Sequence, residues 1–377
     1  MGLNLSRLAR VSFLALLVWL VVRTVTRPQV ATTPVASRKG VPTFRQRLVA
    51  VGDLHGDIRN AQEVLRMAKV IDDQADWIAG TDILVQTGDI VDRGAYAFDI
   101  YRLMQKLRGQ ASAAGGQVVS ILGNHEVMNG LSDWRYVTKG DIERFGSSAK
   151  RQDDLSTEGW LGREWLANYS TTALIPLSPY PDSPKLSFTH GSLRPSFPHL
   201  TPYPSAINDL GRSLLRKAIS PPLAPPYPPN PYSGLPKDST TAEAALYDSG
   251  GPYWWRGLAE MQDEKVVCGW AKQLQEKTGA KRIIGGHTPN FERIVDRCNA
   301  SIIIIDTGIS SAYGGVLSAL EVIYTLTRLD NEPDHRQDPL TGDGSSLATC
   351  YIEREEIYAI YRKGKQVITI DEKVIKL

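Results

Sequence analysis

The chain has 377 residues, 42% apolar and 22% charged, ordinary for a globular protein and enough for one large domain or two smaller ones. A formal net charge of +2 makes no electrostatic case for nucleic acid, and no nucleic-acid partner is expected. Three cysteines, Cys268, Cys298 and Cys350, are too few for a disulfide framework, and none forms a CxxC pair that would bind metal. Buried free thiols are the slightly favoured reading, with a Cys268–Cys298 bridge left open for an oxidising compartment.

At the amino terminus Arg7 and Arg10 precede an apolar run over residues 11–22, closed by Arg23 and Arg27. The run is shorter than the ~20 apolar residues of a spanning helix, but flanking arginine stems can snorkel. No small-x-small cleavage site follows at once, so residues 1–23 read as an uncleaved signal anchor. The chain is therefore expected to be anchored by a single pass, its domain in an endomembrane or vacuolar lumen. A mitochondrial presequence is the alternative, because no acidic residue occurs before Asp53. Residues 24–46, rich in Thr, Pro and basic side chains, read as a flexible tether to a domain over 47–377.

Within that domain "LVAV" (48–51) reads as a buried strand, and residues 57–69 place Ile58, Ala61, Val64, Leu65 and Ala68 at helical spacing. A strand at "DILVQT" (82–87), a helix over 96–107 and a strand at "QVVSIL" (117–122) follow. Further strands are expected at 185–190, 281–286 and 301–306. Continuous apolar strands alternating with helices predict an α/β core buried on both faces, read from pattern alone as a parallel sheet. "SPPLAPPYPPNPYSGLP" (220–236) can be neither helix nor central strand and reads as an inserted loop. Alternation over 350–377 predicts a hairpin about Gly364 at the sheet edge.

The predicted strands end alike: "GDLHGD" (52–57), "GDIVDRG" (88–94), "GNHE" (123–126), "HG" (190–191) and "GGHT" (285–288). Ligands of open α/β sheets bind outside the carboxyl ends of the strands, so these clusters should converge. Asp, Asn and His donors without thiolate suit Mn, Fe, Zn or Mg. Enough donors converge for two cations, one held by Asp53, His55 and Asp89, the other by Asp89, Asn124, His190 and His287. Asp89 would be the bridge that a two-metal site requires. Taken singly, each cluster could be a capped turn or a satisfied core histidine; in order, each at a strand end, they point to metal.

The ordered set resembles the calcineurin-like metallophosphoesterases, in their phosphoprotein-phosphatase branch, over about residues 48–323. "GNHEVMNGLSDWRYV" (123–137), "GGPYWWRG" (250–257) and "DTGISSAYGGVLSALEV" (306–322) are similar to the Shewanella-like protein phosphatases. The resemblance implies a four-layer α/β fold of two mixed β-sheets sandwiched by helices, in place of the plain parallel sheet. It implies two divalent ions, manganese first with iron or zinc as alternatives, and a hydroxide bridging them as nucleophile. Arg93 and Arg256 would hold phosphate oxygens, although Arg256 stacked on Trp254 or Trp255 is an equal reading. His125 would protonate the leaving group, with Asp92 orienting it. Tyr313 would border the phosphate site or simply pack. The arginine that mainstream Ser/Thr phosphatases carry after "GNHE" is missing, and Arg135 is a loose replacement.

The leading expectation is a metal-dependent phosphomonoesterase acting on phosphoproteins. A polyphosphatase or dinucleoside polyphosphate hydrolase on the same site comes second, and a non-catalytic membrane-tethered scaffold third.

Overall fold

Strand β1 (Phe44–Val51) explains the layering. Leu48, Val49, Ala50 and Val51 are each at most 1% exposed, although successive side chains point to opposite faces. Leu48 and Ala50 pack with residues of a second sheet, whereas Val49 and Val51 pack among helices. A strand covered on both sides must be apolar throughout, as its sequence is.

The computed structural model describes residues 43–221, 234–329 and 350–377, all in the unit Pro42–Leu377. The expected anchor, nearly all of the tether and most of the proline-rich insertion lie outside the described residues, among which no helix is long and apolar enough to cross a membrane. The first strand starts at Phe44, so the last residues assigned to the tether belong to β1.

After β1 the chain runs through α1 (Ile58–Met67), β2 (Ile83–Gln86), α2 (Ala97–Ala113), β3 (Gln117–Ile121) and α3 (Asn124–Gly130). Three helices follow, α4 (Lys139–Phe145), α5 (Ser148–Leu155) and α6 (Trp160–Asn168), then β4 (Tyr169–Ser170), β5 (Thr172–Pro176) and β6 (Lys185–Thr189). Next come α7 (Ser205–Ala218), α8 (Thr241–Tyr247), α9 (Gly257–Glu260) and α10 (Glu264–Thr278). The chain closes with β7 (Arg282–Gly285), β8 (Val295–Arg297), β9 (Ile302–Ile304), β10 (Ser318–Arg328), β11 (Cys350–Tyr361) and β12 (Gly364–Lys376).

One sheet has the order β12-β11-β10-β1-β2-β3-β4, the other β5-β6-β7-β9-β8. Strands β1 to β4 pair in parallel, as do β6, β7 and β9; β10, β11 and β12 pair antiparallel, as do the edge strands β5 and β8. The parallel sheet suggested by pattern is thus corrected to the two mixed sheets that the resemblance implied. Burial on both faces hides strand direction from the sequence, because parallel and antiparallel neighbours make the same apolar run.

Between the sheets lie Leu48, Val85, Leu186, Phe188, Ile284 and Leu320, all essentially inaccessible. On the outer faces α1 buries Ala61, Val64 and Leu65, and α10 buries Val267, Ala271 and Leu274. Asp57 caps α1 by accepting from the Asn60 N–H at 3.1 Å, and Gly279, at φ 70°, ends α10. The edge hairpin β11–β12 is present as its alternation predicted, turning at Gly364.

A disulfide joins Cys268 on α10 to Cys298 in the β8–β9 turn, which corrects the slight preference for free thiols. The Glu264 carboxylate holds the two pieces together by accepting from Arg297 Nη2 at 2.6 Å and from the Cys298 N–H at 3.1 Å. That contact brings the two Cα atoms to 5.4 Å, a separation that sequence spacing does not reveal. Cys350 is free and half-buried.

Candidate metal centre

The segments after β1, β2, β3, β6, β7 and β9 meet at one place. Each leaves its strand by a sharp turn, and several turns are left-handed without glycine: His55 (φ 39°), Asp89 (55°), Asp92 (71°), Arg93 (68°) and His287 (65°). Such conformations cost on the order of 1–3 kcal/mol each and persist only where neighbours over-determine them. Here backbone bonds do so. The Leu54 and His55 N–H groups both donate to Asp89 O, at 3.0 and 2.9 Å, and Gly94 N–H donates to His55 O at 3.0 Å. Gly88, at φ 95°, admits no side chain, since a Cβ there would lie 2.5 Å from Gly123 N.

Glu126 ties the second and third clusters together. Its fully buried carboxylate accepts from the N–H groups of Asp89 (2.8 Å), Ile90 (2.8 Å) and Gly123 (2.7 Å) and from the Tyr101 hydroxyl (2.9 Å). A carboxylate with this many donors fixes the two loops that present Asp89 and Asn124.

The imidazoles are oriented by what lies behind them. His190 Nδ1 is 2.8 Å from Thr87 O, His55 Nδ1 is 3.0 Å from Val91 O, and His287 Nε2 is 3.2 Å from Trp254 O. A carbonyl only accepts, so in each ring that nitrogen carries the proton and the other offers a lone pair. The His190 lone pair faces Asn124 Oδ1 at 2.8 Å, His287 Nδ1 at 3.1 Å and Asp89 Oδ2 at 3.2 Å. That of His55 faces Asp89 Oδ2 at 3.7 Å and Asp53 Oδ2 at 4.0 Å.

Electron-rich atoms so arranged repel one another unless a cation lies among them. The donor set therefore fits divalent metal, and metal sites orient their histidines by carbonyls bonded to the far ring nitrogen, as here. Burial opposes the charge of Asp89, but His190, His125 and His55 outweigh it and hold this carboxyl well below the ordinary range, whereas Asp53 and Asp306 are shifted up. Burial, with Asp306 and Asp89 close by, holds Asp53 well above the ordinary carboxylate range, and burial pushes Asp306 up to about 6. Burial, reinforced by neighbouring His190 and Arg256, holds His287 down at about 2, and burial lowers His55 to about 4, so both rings are neutral.

All six sequence-predicted donors, Asp53, His55, Asp89, Asn124, His190 and His287, are brought together and are at most 4% exposed. His125 stands beside them, its ring 4.8 Å from that of His55 and its Nδ1 2.5 Å from Asp92 Oδ2. Arg93 lies at the rim with its Cζ 4.0 Å from the Tyr136 ring centre and 5.5 Å from that of Tyr313. Tyr313 borders the centre, its ring 5.1 Å from that of His55. Arg256 turns one nitrogen, Nη1, to His287 O at 2.6 Å and Thr288 Oγ1 at 3.2 Å, so a donor's own carbonyl takes the place of tryptophan stacking, one of its two equal readings. Arg135 forks onto Asp133 with both bonds at 2.8 Å.

Sequence reasoning gave no role to Glu126, Asp306 or Asn129. Asp306 ends the strand "SIIIID", the same signal that found the other donors. Glu126 sits at the third position of α3, where a side chain reaches back to the helix start. Asn129 lies one turn after His125, on the same face of α3; its Nδ2 donates to Asp92 Oδ1 at 3.0 Å and to His125 O at 2.9 Å.

Comparison with known proteins identifies the class. The family model for calcineurin-like phosphoesterases matches residues 46–291, and the chain belongs to that family. Within it, the chain is 30% identical over 268 residues to Shewanella-like protein phosphatase 1 of Plasmodium berghei, covering 70% of this chain and 67% of that protein. It is 28% identical over 321 residues to Shewanella-like protein phosphatase 2 of Arabidopsis thaliana, covering 74% and 75%. An uncharacterized protein of Schizosaccharomyces pombe is 37% identical over 278 residues, covering 72% and 76%. The crystal structure of a cold-active protein-tyrosine phosphatase from a psychrophilic Shewanella species shares the fold, with a TM-score of 0.61 at 21% identity, over 86% of this chain and 80% of that one.

Proposed function

We propose that the chain hydrolyses phosphomonoesters of phosphoproteins at a two-cation centre. The observation that carries this reading is the set of imidazole lone pairs turned onto shared carboxylate oxygens around Asp89, beside a histidine whose Nδ1 is held by Asp92. Asp53, His55 and Asp89 would hold one cation, and Asp89, Asn124, His190 and His287 the other. Manganese, or iron or zinc, bound there would lower the pKa of a water toward neutrality and neutralise phosphate charge.

The chain's own residues do the rest. Arg93 is kept over Tyr136 by stacking and by its N–H, which donates to Tyr136 O at 3.0 Å. Its guanidinium can take two phosphate oxygens at once. Arg256 supports His287 from behind and has further donors to offer a phosphate. His125 Nε2 gives a proton to the departing oxygen. Asp92 holds the opposite nitrogen, and Asn129 fixes Asp92, so the ring keeps both its orientation and its charge. Burial works against that charge, and Asp89 and Asp92 outweigh it, raising the basicity of His125.

The test is hydrolysis of phosphopeptides, polyphosphate and a dinucleoside polyphosphate by the manganese-supplied protein. Phosphopeptide turnover should dominate, and His125→Asn should lower it about 10²–10⁴-fold, the usual worth of a general acid. An unchanged rate in that variant would remove the proton-donor role, and preferred cleavage of either polyphosphate would move the substrate class.

A further inference from the structure

Beyond the metal centre, the loop that carries Tyr313 has a second side. Tyr313 faces His55, and Phe291, 49% exposed, stacks on Tyr313 at 6.4 Å. The residues that follow each of them, Glu292–Arg293 and Gly315–Leu317, turn into the wall of a groove of about 660 Å³. Arg362 and Lys363 at the β11–β12 turn line it as well. Two segments that line the groove thus lead directly from the Phe291–Tyr313 ridge, whose Tyr313 borders the metal centre.

The groove is built rather than incidental. Asn290 Oδ1 accepts from the Glu292 and Arg293 N–H groups, both at 3.1 Å, and the Tyr361 hydroxyl accepts from the Ile294 N–H at 2.9 Å. Thr307 Oγ1 donates to Val316 O at 2.7 Å. Its charge is unbalanced: Arg293, Arg362 and Lys363 line it against one carboxylate, Glu292. Arg362 is paired with Glu63 at 2.7 Å, but Arg293 and Lys363 have no ion-pair partner among the described residues. Val316, Leu317 and Tyr361 supply apolar floor between the charges.

We propose that this groove binds acidic side chains flanking the phosphorylated residue of a protein substrate, which makes Arg293 and Lys363 specificity determinants. This rests on the phosphatase reading of the metal centre. A peptide whose phosphate sits at the metals crosses the Phe291–Tyr313 ridge and lays its acidic neighbours between Arg293 and Lys363. The apolar floor and Glu292 suit a mixed acidic and apolar peptide better than a continuous polyanion, which Glu292 repels.

The experiment measures kcat/KM for phosphopeptides carrying Asp and Glu before or after the phosphorylated residue, against neutral counterparts, with polyphosphate alongside. The wild type and the double variant Arg293→Glu, Lys363→Glu are compared. Partly exposed charge pairs imply an acidic preference of about 3- to 10-fold in the wild type, on one side of the phosphoresidue, weakening at high salt. The double variant should abolish or reverse it. Equal rates on acidic and neutral peptides, or a preference that survives charge reversal, overturn the proposal. Polyphosphate cleavage that exceeds phosphopeptide cleavage and is lost in the variant overturns the peptide as occupant. Fluorescence anisotropy of the unphosphorylated acidic peptide separates the two readings. Charge-dependent binding without turnover of any phosphoester would sink the phosphatase assignment and leave the groove as an acidic-peptide site.

Discussion

Glu126 is not among the donors, yet four loop N–H groups depend on its carboxylate. Glu126→Gln replaces one accepting oxygen with an N–H₂ that faces other donors. An unmade buried hydrogen bond costs about 1–3 kcal/mol, so the variant should unfold at lower denaturant and hold metal less well. Equilibrium unfolding and metal analysis of the purified variant check both, and wild-type values in each would show that the loops are held otherwise. Most of the site was legible at this scale. Asp53, His55, Asp89, Asn124, His190 and His287 each stand where a predicted apolar strand meets glycine. Glu126 was quoted within "GNHE" without a role because its importance lies in backbone groups it receives from another loop. The bond from Arg256 to the His287 carbonyl was hidden for a similar reason: sequence does not display a backbone partner.

Among elements, α7 and α8 bracket the proline-rich segment and meet through one ion pair. Lys217 in the last turn of α7 lies 2.8 Å from Glu243 in the first turn of α8, and Glu243 also accepts from the Thr240 N–H at 2.7 Å. Burial opposes the Glu243 charge, but Lys217, Ser213 and Thr240 outweigh it and hold the carboxyl at about 2, against an ordinary 4.5. A depressed carboxylate pKa stabilises the folded state above the ordinary value, and that contribution is lost as pH falls toward the folded value. The stability gap between wild type and Glu243→Gln should therefore be widest above pH 4.5 and narrow as pH falls toward 2. Urea unfolding across that range measures it, and a gap independent of pH would contradict the pairing. Strand and helix positions such as β1, α1 and the β11–β12 hairpin followed from periodicity. The antiparallel placing of β10 between β1 and that hairpin did not, since pairing partners far apart in sequence leave no local trace.

At the scale of the molecule, two mixed sheets face one another and bring loops from both to a common rim. The first sheet supplies Asp53, His55, Asp89, Asn124 and His125, the second His190, His287 and Asp306. Neither sheet alone has the donors for two cations, so the site depends on how the sheets pack. Leu48, Val85, Phe188 and Ile284 make that packing dry. The Cys268–Cys298 bridge fastens α10 to the turn before β9 and so braces the strand that leads to Asp306. Residue types announced a metal site, whereas the pairing of Cys268 with Cys298 and the ridge of Phe291 on Tyr313 appeared only once the chain was folded.

The central claim is that Asp89 is shared between two cations. Metal content after manganese loading and exhaustive dialysis, measured by mass spectrometry on the full chain and on Asp89→Asn, tests it most directly. The wild type should retain about two ions per chain, as a bridged pair requires, and the variant at most one. No retained manganese in the wild type, or the same content in both proteins, would contradict the account.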